Sequence, residues 1–399
     1  MSTKQDVVIV GAGVVGLSIA TSLLDAKPGL KVTVIDKESR LGTHASGKNS
    51  GVLHAGFYYS PDSLKARFCR DGNFLLKELC RKHSIPVLPT GKVVVARDES
   101  ENSRLDTLFD RGIKNGVELE LLSSDELRRI EPLAITHERF LWSPNTAVSD
   151  PLLVLDAMRK ELGDRGGVIT LDEKVKLERN GLDFSVPGYS AKVVVNAAGA
   201  QADRIARNVG LAQEYAMVPF MGVYRSVEEK FLPLRRLVYP VPHPINPFLG
   251  VHFTITLNGK VKIGPTAIPI FGREQYSPLS GWSISDMFQA AKASYGLIRG
   301  EAHDFSEIVK SELPKLREKN LVNESATLVP TALNVAKWSK RPPGIRSQLV
   351  NMKTGKLEQD FLVEVSGNSA HVLNAVSPGW TSTIPFGSWV AKEKVLPIL

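Results

Sequence analysis

Three glycines and one acid are the residues whose types and spacing most directly imply chemistry. Asp6-Val-Val-Ile-Val10 runs into Gly11-Ala-Gly-Val-Val-Gly16, and Asp36 closes the apolar run Val32-Thr-Val-Ile35, 20 residues beyond Gly16. Gly11 permits a tight turn, Gly13 lets backbone approach a pyrophosphate without a Cβ in the way, and Gly16 lets a helix pack close to the strand before it. The N-terminus of that helix offers free N–H groups and a positive dipole end to phosphate, while a carboxylate at position 36 accepts hydrogen bonds from ribose hydroxyls. A glycine triplet alone also occurs as a plain structural turn. Here a strand precedes it, a helix with Leu17, Ala20, Leu23 and Leu24 on one face follows it, and the acid stands at the right distance, so the pattern specifies a dinucleotide site.

The elements that must position such a ligand follow from the rest of the chain. Thr43 to Gly56 is rich in glycine and small polar residues and reads as a loop whose backbone can lie close to a flat ligand, with Ser and Asn side chains bonding its oxygens. Pro61 suits the first turn of a helix capped by Ser60, with Leu64, Phe68, Leu75, Leu76 and Leu79 on its apolar face, running to about Lys82. Lys92–Ala96 reads as a strand and Leu105–Asn115 as an amphipathic helix, which takes the chain out of the nucleotide domain. It returns with a helix at Asp150-Pro151, strands at Lys174–Leu177 and Ala191–Asn196, and small residues Ala197 to Gly199 before a helix at Asp203. Alternating strands with proline-rich turns from Val218 to Pro265 predict an antiparallel sheet, and helices fill Ser283 to Glu318. Strands at Phe361–Glu364 and His371–Leu373 precede Ser377-Pro-Gly-Trp-Thr381, which opens a last helix.

The expected fold class is therefore α/β with an α+β partner. A discontinuous Rossmann-like domain with a parallel sheet takes residues 1–90, 146–210 and 340–399, and a second domain on a mostly antiparallel sheet takes 91–145 and 211–339.

At 399 residues, 43% hydrophobic and 23% charged, the chain has the composition of an ordinary globular protein with a large core. No apolar run reaches the ~18 residues of a membrane span, and the first strand starts too early for a cleavable leader, so the expected location is cytoplasmic. A formal net charge of +8 attracts anions generally, but its lysines and arginines are scattered among acids without interleaved aromatics, which argues against nucleic acid. Cys69 and Cys80 lie about 16 Å apart along one helix, beyond disulfide reach, and read as reduced structural thiols. No His, Cys or carboxylate cluster has metal-ligand spacing, and Trp282 and Trp338 read as core.

With these residues in view, the chain resembles the FAD-dependent D-amino-acid oxidase superfamily, and within it the L-2-hydroxyglutarate oxidase/dehydrogenase group. The resemblance rests on Gly47-Lys-Asn-Ser-Gly-Val-Leu-His-Ala-Gly-Phe-Tyr-Tyr59 with Ser63-Leu-Lys-Ala66, on Tyr239-Pro-Val-Pro-His-Pro244 with Pro247-Phe-Leu-Gly-Val-His-Phe-Thr254, on Ile263-Gly-Pro265, and on Gly344-Ile-Arg346. It implies FAD as cofactor. By position, Gly11, Gly13, Val14, Val15, Gly16, Asp36 and Lys37 would hold the ADP half, and Val175 would offer backbone to the adenine. Ser46, Gly47, Asn49, Ser50, Gly51 and Val52 would run beside the isoalloxazine, Ala198 and Gly199 would line the pyrophosphate, and Pro378, Gly379, Trp380 and Thr381 would face the flavin N1/C2=O.

The implied reaction is oxidation of a small 2-hydroxy acid to the 2-oxo acid, with hydride transfer to flavin N5 and reoxidation by O2 or a quinone. The alternative is an amine or amino-acid oxidase with a remodelled pocket. A base must take the substrate proton, and an imidazole with an ordinary pKa near ~6.5 suits that role. His54, directly after the flavin loop, is the first candidate and His252, in a strand, the second. Arg346 is the candidate carboxylate anchor, and Tyr58, Tyr224 and Tyr239 are candidate hydrogen-bond partners of the substrate. The chain departs from the group in several places: Met221 stands for its usual Arg, Val223 for its acid, Trp380 for a small residue near the flavin edge, and His243 for an Asp. The first of these implies the loss of a carboxylate clamp.

Overall fold

Runs of β-branched residues buried on both faces build the first sheet, since a parallel sheet covered by helices has no wet side. In a computed structural model describing residues 3–181, 183–243, 248–277, 281, 283–299 and 303–399, Thr3–Val10 lies between Tyr189–Asn196 and Val32–Ile35. Pro244, Pro247 and Trp282 lie outside those residues. The six strands run in the order Leu362–Ser366, Ser369–Asn374, Tyr189–Asn196, Thr3–Val10, Val32–Ile35, Val168–Thr170, all parallel except the first, a hairpin partner of the second. Val7, Ile9, Val193 and Val195 are fully buried against the helix Val14–Ala26 and the C-terminal helix Thr383–Val390.

A ten-stranded sheet forms the other half. Its long central strand, Tyr215–Glu228, pairs antiparallel with Ser339–Asn351 on one side and with Lys260–Gly264 on the other. Further along, Leu237–Pro240 pairs parallel with Lys92–Val95, which brings a segment from the first quarter of the chain beside Tyr239. A three-stranded sheet of Val52–Leu53, Ala147–Ser149 and Val87–Leu88 carries the loop that ends at His54.

Three local expectations change. The long helix is Leu64–Lys82 and its cap is Ser63, whose hydroxyl accepts from Ala66 N at 3.1 Å; Ser60 shapes the preceding turn by accepting from Ser63 N. The carboxylate of the distant Asp360 accepts from Leu64 N and Lys65 N, which fixes the first turn one step later than the local sequence suggests. Lys174–Leu177 forms no strand, because Asp172 N and Glu173 N donate to Glu38 O and Asp36 O instead, and Val168–Thr170 takes the sheet edge. Finally, Ser339–Asn351 and Lys356–Leu357 are strands of the large sheet, so the boundary expected at 340 falls inside a strand of the other domain.

Candidate active site

At the nucleotide end Gly11 and Gly16 stand where backbone excludes a side chain, and a Cβ on Gly13 would press on Ser46 Oγ. Gly11 has φ +112°, and a Cβ there would overlap the Ala197 carbonyl, while one on Gly16 would overlap the Gly11 carbonyl. The Asp36 carboxylate accepts from Ala12 N at 2.8 Å and Glu38 N at 3.0 Å, so it holds the glycine turn as well as facing the cavity lined by Ala12, Gly13, Glu38, Gly42 and Ser46. Ser46 accepts from Val14 N at 3.0 Å, which ties the second loop to the helix N-terminus; Val15, in the next position, is a partly buried packing residue. Lys37 is directed away from this turn: its ammonium donates to Glu38 and, at 3.0 Å, to Glu274. Glu38, His44 and Glu274 are close enough to share a metal ion, yet the Lys37 ammonium already stands among them as the cation. Val175 lies in the extended segment beside Asp36, packed near Val8, Val10 and Ile35. Ala198 and Gly199 follow the strand end, where the Asn196 side chain bonds Ala198 N and Ala202 O.

The flavin-loop candidates form a self-bonded arch. Asn49 donates to Ser46 O and accepts from Gly51 N, and Ser50 Oγ accepts from Val52 N. A Cβ at Gly47 would overlap Gly42, and Gly51 has φ +76°. Thr381 then locks the end of this arch to the last loop: its hydroxyl donates to Val52 O at 3.1 Å and accepts from His54 N at 3.2 Å. Asn73 donates to Leu53 O and His54 O from the long helix. Pro378 accepts from Ser382 N and Gly379 donates to Val376 O, shaping the turn before the final helix, and the Trp380 indole N–H is buried without a partner.

Beyond His54 side chains of the two halves come together, with Lys92 and Arg346 both close enough to His54 and His252 to act on them. His54 is buried and its Nδ1 has no hydrogen-bond partner. Burial holds its imidazole well below the usual range, and the nearby Lys92, His252 and Arg346 press it the same way. His252 donates from Nδ1 to Gly250 O at 2.9 Å, which leaves Nε2 as its basic nitrogen. Its ring stacks on Tyr239 with centroids 3.8 Å apart, and burial takes its pKa down to about 3. Both histidines are thus neutral at physiological pH. The phenols of Tyr58, Tyr224 and Tyr239 are raised by burial, so each is a donor rather than a phenolate; Tyr58 OH has no partner. Arg346 stands opposite Phe220 in the sheet, with its guanidinium over Phe248 and close enough to Tyr224 to offset part of that shift. No ion pair to Arg346 is present among the described residues.

Met221 pairs with Ile345, one position away from the Phe220–Arg346 pair, so strand alternation sends Met221 and Arg346 to opposite faces. An arginine at 221 would not share the Arg346 face, and the apolar residue there leaves that face unchanged. The residue missed by sequence reasoning is Lys92. Its side chain is fully buried, without a hydrogen-bond partner, and its Nζ lies over the rings of Phe57, Tyr58 and Tyr239.

Comparison with known proteins gives a consistent picture. The family model described as FAD dependent oxidoreductase, DAO, matches residues 6–393. The chain is 35% identical to the mitochondrial L-2-hydroxyglutarate dehydrogenase of Caenorhabditis briggsae, with 98% of this chain and 93% of that protein covered. It is 34% identical to the L-2-hydroxyglutarate dehydrogenase of Escherichia coli K12, with 97% and 92% covered. Among solved structures, the L-alpha-glycerophosphate oxidase of Mycoplasma pneumoniae with FAD bound superposes with a TM-score of 0.76 over 96% of this chain and 93% of that one, at 23% identity.

Proposed function

The chain belongs to the family of FAD-dependent oxidoreductases, and from that premise we propose that it oxidises a small 2-hydroxy acid of the L-2-hydroxyglutarate type to the 2-oxo acid. The enzyme's cofactor is FAD. The residues fit it: Gly11 and Gly16 let the backbone close into a tight turn at the helix N-terminus, and buried polar atoms without partners, including Trp380 Nε1, Ser382 Oγ and His54 Nδ1, lie on or next to the segments that would face the flavin. Gly11, Gly13, Gly16 and Asp36 would hold the pyrophosphate and ribose, Val175 the adenine, the arch from Ser46 to Val52 the isoalloxazine, and Pro378 to Thr381 its N1/C2=O side. When bound, FAD supplies the two-electron acceptor for the hydrogen on the carbinol carbon.

The protein's part is to bind, orient and take a proton. Arg346 would hold the carboxylate next to the reacting carbon with parallel charge-assisted bonds. The tyrosine hydroxyls donate to the remaining oxygens. His54 Nδ1 would accept the hydroxyl proton as the O–H electron pair becomes the second C–O bond, its backbone fixed by Thr381 and Asn73 so that the ring is aimed before substrate arrives. His252 Nε2 is a second basic nitrogen in the same chamber. One observation carries the reading: the charges acting on both neutral imidazoles come from basic groups alone, Lys92 and Arg346 among them, so the chamber is built for an anion.

The enzyme would work in the cytoplasm, in keeping with two buried free cysteines; no helix among the described residues is long and apolar enough to cross a membrane. The test is anaerobic. Holoenzyme mixed with L-2-hydroxyglutarate, then with other 2-hydroxy acids and amino acids, is followed by flavin absorbance. Bleaching by a 2-hydroxy acid supports the proposal, and bleaching by amino acids alone transfers the enzyme to amine oxidation. Readmitting O2 or adding a soluble quinone then shows which acceptor restores the colour.

A further inference from the structure

Lys92 opens a strand whose neighbours are Leu237 on one side and Ser143 on the other, a position at which a lysine ordinarily reaches solvent. Here it does not. Its relative exposure is 0%, no hydrogen bond satisfies Nζ, and three rings enclose it, with centroids 4.5 Å (Phe57), 4.4 Å (Tyr58) and 4.8 Å (Tyr239) away. Aromatic faces favour an ammonium, whereas burial without a counter-ion favours the neutral amine. Burial lowers the group to a pKa of about 7, against a smaller opposing pull from Cys69. Tyr239 of this cage is also the ring on which His252 stacks, and Lys92 is the foremost charge acting on His54.

We propose that Lys92 is a positioning residue of the oxidation: its caged amino group takes up a proton as the anionic substrate binds, and the resulting charge acts on His54 from behind. This rests on the 2-hydroxy-acid reading above. A carboxylate entering a chamber of basic groups supplies the missing counter-charge, so anion and proton bind together by linkage. The other titratable groups facing Lys92 hold their charge in the relevant range. His54 and His252 are neutral above the acid region, the Tyr58 and Tyr239 phenols are raised, and burial puts the Cys69 thiol at about 12. Lys65 is lowered by burial to about 8, with Asp360 and Cys69 acting to raise it, and serves as the control.

The experiment uses oxidised holoenzyme and 2-oxoglutarate, the 2-oxo acid that corresponds to the proposed substrate. Its Kd is read from the flavin spectrum between pH 6 and pH 9, and proton uptake is read in weakly buffered indicator solution. In the wild type, Kd should be flat below about pH 7 and rise up to about tenfold per pH unit above it, with up to one proton taken up per ligand near pH 8. Lys92→Met should abolish both the slope and the uptake, and Lys65→Met should keep both. A Lys92→Met profile matching the wild type, or a wild type that binds with a flat profile and no uptake, overturns the proposal while leaving the substrate reading intact. A wild type that binds no 2-oxo acid at any pH removes the substrate reading and this proposal together. Should Lys92→Met fail to retain FAD, proton uptake by the wild type decides.

Discussion

Replacing Arg346 by Met removes a half-buried guanidinium from the strand Ser339–Asn351 while keeping most of its stem. Phe248, beneath the guanidinium, stays in contact with an apolar chain, so the strand pairing with Tyr215–Glu228 should survive. A hydrogen bond to a charged group contributes about 1.5–3 kcal/mol, and a guanidinium meeting a carboxylate forms two in parallel. With Lys92 left as a partial substitute, a loss of roughly 3 kcal/mol corresponds to a KM about 100-fold higher. The effect on kcat should stay within about tenfold, because an anchor used equally in ground and transition state changes binding more than chemistry.

A second readout comes from electrostatics. Arg346 is one of the charges that keep His54 and His252 low, so its loss lets both imidazoles rise. The base must be unprotonated, and the acid limb of kcat/KM should therefore move toward neutral pH. Arg346→Lys should recover only part of the KM, since an ammonium cannot make the paired contact. Steady-state and anaerobic reduction kinetics with L-2-hydroxyglutarate between pH 5 and pH 9 measure all three quantities. A KM within threefold of wild type together with an unmoved acid limb would show that Arg346 does not touch the substrate.

Other perturbations have equally definite outcomes. Gly16→Ala forces a methyl into the Gly11 carbonyl, and an overpacking cost of about 1–3 kcal/mol should weaken FAD binding roughly 10- to 100-fold; full flavin occupancy at micromolar protein would refute the tight packing. Thr381→Val leaves Val52 O and His54 N unpaired, so urea unfolding should show a loss of about 1–3 kcal/mol and kcat should fall, with Thr381→Ser restoring both; an unchanged kcat would mean that His54 needs no such alignment. His252 and His371 have pKa values of about 3 and about 4 because burial keeps them neutral. Their unfolded forms protonate near ~6.5, so their contribution is complete above that pH and is lost as pH falls toward the folded values, on the order of 1–2 kcal/mol each by pH 5. Equal unfolding free energies at pH 7 and pH 5 would contradict this.

The nucleotide end was legible because its constraints are local. A glycine turn, the helix after it and an acid after the second strand are all encoded within 36 residues, and a Cβ on Gly11 or Gly16 would run into a neighbour's backbone. What escaped the sequence depends on partners far along the chain. Ser63 rather than Ser60 caps the long helix because Asp360 meets its first turn, and Lys174–Leu177 misses the sheet because its neighbours bond the loop after Asp36. Lys92 reads as an ordinary strand lysine ahead of Val93, Val94 and Val95, since nothing near it announces that Phe57, Tyr58 and Tyr239 will close around its tip. Met221, which read as the loss of a clamp, leaves the sheet on the face away from Arg346, a fact carried by strand register rather than residue type.

The most direct test of the central claim is anaerobic reduction of the purified yellow protein by L-2-hydroxyglutarate. Rapid, stoichiometric bleaching of the flavin with formation of one 2-oxoglutarate per FAD is the outcome expected from a neutral imidazole and a cationic chamber. A flavin that stays oxidised in the presence of every 2-hydroxy acid tried, with FAD fully bound, would contradict it.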